Sequence, residues 1–102
     1  MTIPTFNMPE IKPAFEYAFD ALVAEMKKFQ ARLSDDFELG IVANGAGLII
    51  HVESLRFSGQ MFVFDGVNAN GETSRLIQHF TQANIQMIAV PKLQDKPRRI
   101  GF

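Results

Sequence analysis

Cysteine and tryptophan are absent from this 102-residue sequence, and long apolar runs are absent as well. Without cysteine the chain has no disulfide framework and no thiol nucleophile, which excludes disulfide-stabilised scaffolds and cysteine-dependent catalysis and fits a reducing cytoplasm. No apolar stretch is long enough to cross a bilayer, so we expect no membrane partner. The first residues also lack the basic segment followed by an apolar one that marks a signal peptide, and we expect a cytoplasmic protein.

An excess of charge of one sign is missing too, since 10 basic and 11 acidic residues give a formal net charge of −1. Proteins that bind nucleic-acid polymers usually carry a clear basic excess, so that class is disfavoured. A small phosphate ligand held by a few arginines stays compatible with this balance. Apolar residues make up 47% of the chain, including ten phenylalanines, which is enough for the core of one domain.

The first third of the chain predicts an extended arm followed by a long helix. Residues 1–9 contain two prolines and no clear period, which indicates an arm that is either loose or packed on a partner subunit. Over residues 10–34 the period is helical, and acidic residues near the start and basic residues near the end suit the helix dipole. We expect this amphipathic helix to pack on the chain's own sheet, with packing on its own copy as the alternative. Its apolar stripe consists of Phe15, Phe19, Leu22, Met26, Phe29 and Leu33.

After this helix the apolar period changes to two residues. Strands are predicted over 37–43, 48–57 and 60–65, with Gly-containing turns between them, which makes an antiparallel meander over 37–66. Residues 72–80 are predicted as a short helix, with a strand as the runner-up, and residues 84–90 as the last strand. The prediction is therefore a single α+β domain with an antiparallel sheet of four to five strands. One long N-terminal helix, a short later helix and a basic C-terminal segment complete it.

Residues for catalysis are not arranged in any recognisable motif. The two histidines, His51 and His79, stand alone without metal-ligand spacing. No serine lies in a nucleophile elbow, and the glycines do not form a phosphate-binding loop. We therefore expect no catalytic residue, no metal and no cofactor. A small enzyme in which the two histidines converge in space is kept as a minor hypothesis.

The polar residues near the C-terminus suggest a binding site for a small ligand that contains phosphate. Arg98 and Arg99 are adjacent, and guanidinium groups hold phosphate through a planar, bidentate fork; a solvated basic tail is the alternative. Phe102 offers a ring that stacks on a base or seals a pocket. Gln78 and His79 belong to a run of neutral polar side chains that also includes Gln82 and Asn84. Such groups contact base edges well, or else they cap buried backbone.

Two stretches of the last third are similar to a known family. They are Arg75-Leu76-Ile77-Gln78-His79 continuing to Gln82-Ala83-Asn84, and the ending Pro97-Arg98-Arg99-Ile100-Gly101-Phe102. Together they resemble a phage and bacterial family that includes the Thoeris anti-defence 1 proteins. The resemblance implies a protein that sequesters nucleotide second messengers of bacterial immunity without cleaving them. The implied ligands are cyclic ADP-ribose isomers, with cyclic oligonucleotides for some members.

The resemblance also implies homo-oligomers, either dimers or larger assemblies, acting in the host cytoplasm with pockets lined by more than one subunit. Arginines would hold the pyrophosphate, Phe64 or Phe102 would supply the flat face for a purine, and Gln78 or Asn84 the amide edge. The alternative function is a homo-oligomeric protein-interaction module without a small ligand. Arg75, together with Arg56 and Asp65, is also assigned to an internal salt-bridge set, ranked above a ligand role. The full predicted ligand-binding set is Arg98, Arg99, Asn84, Gln78, His79, Phe64, Arg75 and Phe102.

Overall fold

The computed structural model describes residues 11–92 together with 100 and 101. The predicted arm over 1–9 and the side chains of Arg98, Arg99 and Phe102 therefore lie outside the described residues. Within the described part, one α-helix and one antiparallel sheet confirm the α+β fold. The elements are α1 (Ala14–Ala31), β1 (Phe37–Gly45), β2 (Leu48–Ser58), β3 (Met61–Asn68), β4 (Thr73–His79) and β5 (Ile85–Pro91), with a 3-10 turn at Phe80–Gln82.

The helix α1 packs its apolar stripe on the chain's own sheet. It begins after Pro13, whose extended backbone suits the position before a first helical turn, and at Ala14–Ala31 it is shorter at both ends than the predicted 10–34. Phe19 and Met26 are buried, and the other four residues of the stripe are half-buried. Phe19 makes edge contacts with Phe57 and Phe62 at centroid distances of 5.1 and 5.6 Å. Among the described residues, no helix has the length and hydropathy needed to cross a bilayer.

The sheet has the order β4-β3-β2-β1-β5, and all neighbouring strands are antiparallel. The predicted meander of β1, β2 and β3 is confirmed. The short helix predicted over 72–80 is wrong in its position, because this segment is β4 and the helical turn follows it. Pairing with the edge of β3, from Met61↔His79 to Val67↔Thr73, outweighs the local helical spacing of Leu76 and Phe80.

The two faces of the sheet differ in what covers them. On the face under α1, which we call the helix face, the core includes Leu55, Phe62 and Phe64. We call the other side the open face; Val42 and Val63 are buried there by neighbouring strands' side chains. Since side chains alternate along a strand, the register assigns every strand residue to one of these faces.

β1 and β2 are paired over only part of their length. Their register runs from Gly45↔Leu48 to Val42↔His51 and stops there, and a bulge follows in β2 between Val52 and Ser54. Residues 100 and 101 lie in the resulting gap. Gly101 donates its N–H to the carbonyl oxygen of Glu53 at 2.8 Å and accepts from the N–H of Leu55 at 2.7 Å. The separation of β1 from β2 positions the candidate site.

Candidate functional site

A pocket of about 380 Å³ opens where β1 and β2 separate. Its walls come from the consecutive strands β1 and β2 and from β5 and Ile100, which lie far from them in sequence and meet them only in the folded sheet. Its volume lies within the range of small-molecule sites in proteins. The lining residues are Glu38, Leu39, Gly40, Ile41, His51, Val52, Glu53, Ile88, Val90 and Ile100.

The wall formed by β1 and β5 depends on the glycine at position 40. A Cβ atom there would lie 2.5 Å from Val90 Cγ2 and 2.9 Å from Ile88 Cγ1, closer than such atoms approach in proteins. The two β5 side chains therefore occupy the space that a side chain of β1 would otherwise fill. A glycine inside a strand commonly marks such a close approach.

The polar groups of the pocket are two carboxylates and an imidazole. Glu38 and His51 lie on the open face of the sheet, and Glu53 belongs to the bulge of β2. Carboxylate oxygens accept hydrogen bonds, so they favour a ligand that offers hydroxyl or N–H donors. The remaining lining is apolar and suits a flat or aliphatic group. An anionic group entering this pocket needs a compensating cation close by, because the carboxylate of Glu53 repels it.

Two of the predicted polar side chains form hydrogen bonds within the chain, and a third is exposed. Gln78 donates from Nε2 to the carbonyl oxygen of Asn44 at 2.8 Å. The ring nitrogens of His79 lie 2.8 Å from Thr81 Oγ1 and from Gln60 Oε1. The side chain of Asn84 is exposed, and its backbone carbonyl oxygen accepts from the backbone N–H of Asn44 at 2.9 Å. None of the three lines the pocket.

Two further predicted residues are also placed away from the pocket. Phe64 has no exposed surface, and its ring packs edge-on against Phe62. The stacking face predicted for it is wrong, because the helix and the sheet enclose the ring. Arg75 is paired with Asp65 across β4 and β3, which confirms this part of the predicted salt-bridge set; the ion pairs found among the described residues do not include Arg56. Hydrogen bonding and charge attraction from this carboxylate raise the pKa of Arg75.

The histidines do not converge, and the two-histidine centre is therefore wrong. On β3 the Cα partner of His51 is Val67 and that of His79 is Met61. Six strand positions separate these partners, a distance of roughly 20 Å along the strand at about 3.3 Å per residue. Across residues 11–92 and 100–101, no three histidine, aspartate or glutamate side chains are grouped as metal ligands would be.

The pocket residues were mostly missed from the sequence, because strand pairing and chain return bring them together. The one local signal was Gly40, which interrupts an otherwise apolar and alternating strand. Ile100, which was not among the predicted ligand-binding residues, lines the pocket and directly follows the two arginines in the chain. The lining residues are compatible with more than one class of ligand. Comparison with known proteins adds no relative, as no family model, no curated protein and no solved structure matches the chain.

Proposed function

We propose that this protein binds a small nucleotide signal in the pocket between β1 and β2 and releases it unchanged. The ligand class is a cyclic ADP-ribose isomer or a cyclic oligonucleotide, and the biological role is sequestration of an immune messenger by a phage or prophage protein. The observation that carries the proposal is the position of Ile100, which lines the pocket and immediately follows Arg98 and Arg99 in the sequence.

The chemistry of the pocket is compatible with three parts of a nucleotide. Apolar side chains such as Ile88 and Val90 offer a surface for a base. The carboxylate of Glu53 can accept hydrogen bonds from ribose hydroxyls, a role that acidic residues have in dinucleotide-binding folds. The phosphates require cations, and the chain supplies two arginines next to Ile100. Arginine is the side chain best suited to a pyrophosphate, because its fork of donors matches the phosphate oxygens.

Binding and ligand integrity are tested together. The purified protein is titrated calorimetrically with cyclic ADP-ribose isomers and with cyclic di- and trinucleotides, then heat-denatured, and the released nucleotide is identified by mass spectrometry. We expect tight binding within this panel and an unaltered nucleotide. Replacing Arg98 or Arg99 with Ala removes a charge-assisted contact of about 1.5–3 kcal/mol, which weakens binding roughly tenfold to a hundredfold.

Arg32→Ala is the matched control, because Arg32 is an exposed arginine at the C-terminal end of α1. This variant should bind as the wild type does. A chemically altered nucleotide would contradict sequestration and reopen the enzyme hypothesis. Equal affinity of the Arg98, Arg99 and Arg32 variants would show that the arginines do not hold the phosphates.

A protein-interaction module without a small ligand is the second candidate. It is favoured by apolar side chains that remain exposed on the strands, among them Leu48 at 61% and Ile77 at 54%. Because Leu48 pairs with Gly45 on the helix face and Ile77 pairs with Val63 on the open face, a partner protein would contact the two faces separately. The absence of binding across the nucleotide panel, with a partner captured after exhaustive nucleotide removal, would favour this candidate over the first.

A further inference from the structure

β5 is an edge strand with no charged residue. It pairs with β1 on one side, in a regular register from Ala43↔Ile85 to Phe37↔Pro91. Edge strands of monomers usually carry charges, bulges or internal prolines that prevent pairing with another strand. Here Pro91 stands only at the end, whereas β4 at the opposite edge carries Arg75.

The direction of the backbone groups along β5 follows from one hydrogen bond. The N–H of Asn44 donates to the carbonyl oxygen of Asn84, so these two residues form a hydrogen-bonded pair. In an antiparallel ladder such pairs alternate with non-hydrogen-bonded ones. Ile85, Met87 and Ala89 therefore direct their N–H and C=O groups away from β1. Among the described residues, no other strand or turn accepts from these outward groups or donates to them.

We propose that β5 pairs with β5 of a second copy of this chain, antiparallel and about a two-fold axis at Met87. In this register Met87 lies opposite the same residue of the second copy. Ile85 and Ala89 lie opposite residues 89 and 85 of the second copy. Every outward N–H and C=O of both strands then forms a hydrogen bond. The two sheets become one continuous sheet, with the isologous contact that two-fold dimers have.

The side chains favour a second copy over an unrelated extended peptide. On the helix face the contact places the large Ile85 against the small Ala89, and no like charges meet on either face. On the open face Gln86 lies beside Ile88 of the other subunit. Every molecule of this protein carries the same complementary edge, so a second copy always supplies a matching strand. The pairing does not depend on what the pocket binds, although Ile88 and Val90 of β5 also line it.

The test is sedimentation velocity of the full chain over a concentration series, with two proline variants. Ala89→Pro removes an outward N–H at an exposed position and leaves the hydrogen bonds to β1 in place. Ile77→Pro is the matched control on β4, whose N–H also points outward because Phe80 donates to the carbonyl oxygen of Gln60. Circular dichroism confirms that both variants are folded.

We expect the wild type and Ile77→Pro to approach twice the 11.4 kDa chain mass as concentration rises, and Ala89→Pro to stay at the chain mass. A wild type that stays monomeric, or a folded Ala89→Pro variant that still dimerises, would overturn the proposal. So would equal loss of dimer in both variants. Hydrogen–deuterium exchange on the wild type gives an independent readout. The amides of Met87 and Ala89 should exchange more slowly as dimer forms, and fast exchange at every concentration would also overturn the pairing.

Discussion

The side-chain amide of Gln78 shows how one residue connects two distant strands. Its Nε2 donates to Asn44 at the end of β1, while its Oε1 is buried and has no hydrogen-bond partner. A buried acceptor left without a partner costs about 1–3 kcal/mol, so this residue stabilises the fold through one end of the amide and destabilises it through the other. Gln78 therefore caps the backbone of β1, which is one of the two roles that the sequence left open, the other being ligand contact.

Two substitutions at Gln78 separate these contributions. Gln78→Met removes the donor and the unpaired oxygen together, and we expect the free energy of unfolding to change by less than about 1 kcal/mol. Gln78→Glu places a carboxylate against the carbonyl oxygen of Asn44, and we expect a loss of about 2–3 kcal/mol at neutral pH. Urea denaturation measures both. If the Glu variant is as stable as the Met variant, the hydrogen bond to Asn44 does not form in solution.

At the scale of elements, the bulge of β2 brings its backbone against β3. A Cβ atom on Gly66 would lie 1.9 Å from the carbonyl oxygen of His51. Backbone cannot move aside as a flexible side chain can. The bulge that displaces Glu53 toward the pocket therefore requires glycine opposite it on β3. Strand pairing and pocket shape depend on the same close contact.

Gly66→Ala should lower the free energy of unfolding by about 3 kcal/mol or more, because the added methyl group overlaps buried backbone. Gly101→Ala is the matched control: its Cβ would be 3.4 Å from the nearest atom, Ser54 Cβ, which is ordinary contact. We expect less than about 1 kcal/mol of change for it. Thermal and urea unfolding compare the two variants, and a well-tolerated Gly66→Ala would show that β2 and β3 pair in another register.

At the scale of the whole molecule, the end of the chain completes the middle of the sheet. Ile100 packs against the core, and Gly101 supplies the hydrogen bonds that β1 does not give to β2 at this level. The gap between β1 and β2 is therefore filled only when Ile100 and Gly101 have docked. Ile100 also lines the pocket, so we expect its docking to affect both global stability and ligand binding.

Removing residues 100–102 should lower the free energy of unfolding by roughly 3 kcal/mol. Two backbone hydrogen bonds contribute about 0.5–1.5 kcal/mol each, and burial of the isoleucine side chain adds about 1–2 kcal/mol. Ile11→Ala, at a residue that is 82% exposed, is the control and should change stability by about 0.5 kcal/mol or less. Chemical denaturation is the measurement. Unchanged stability of the truncated chain would mean that Gly101 does not dock on β2.

Local patterns in the sequence predicted α1 and the strands of the meander. The helical stripe that includes Phe19 and Met26 marks one buried side, and a period of two marks β1 and β2. The turns were also visible: Gly47 and Gly59 have positive φ values of 76° and 57°, which glycine adopts without strain. These features depend on neighbours within a few residues, so the sequence alone determines them.

Tertiary structure decided β4, the place of β5 at the opposite edge, and the pocket. Leu76 and Phe80 fit a helix locally, but the unpaired edge of β3 binds this segment as a strand. The pocket needs β1 and β2 to diverge, β5 to lie beside Gly40, and Ile100 to return from the far end of the chain. Such contacts join residues that are far apart in sequence, and local periodicity carries no information about which distant segments will meet. The helix, the alternating strands and the turns follow from local sequence patterns, whereas the pocket exists only because the folded sheet brings its walls together.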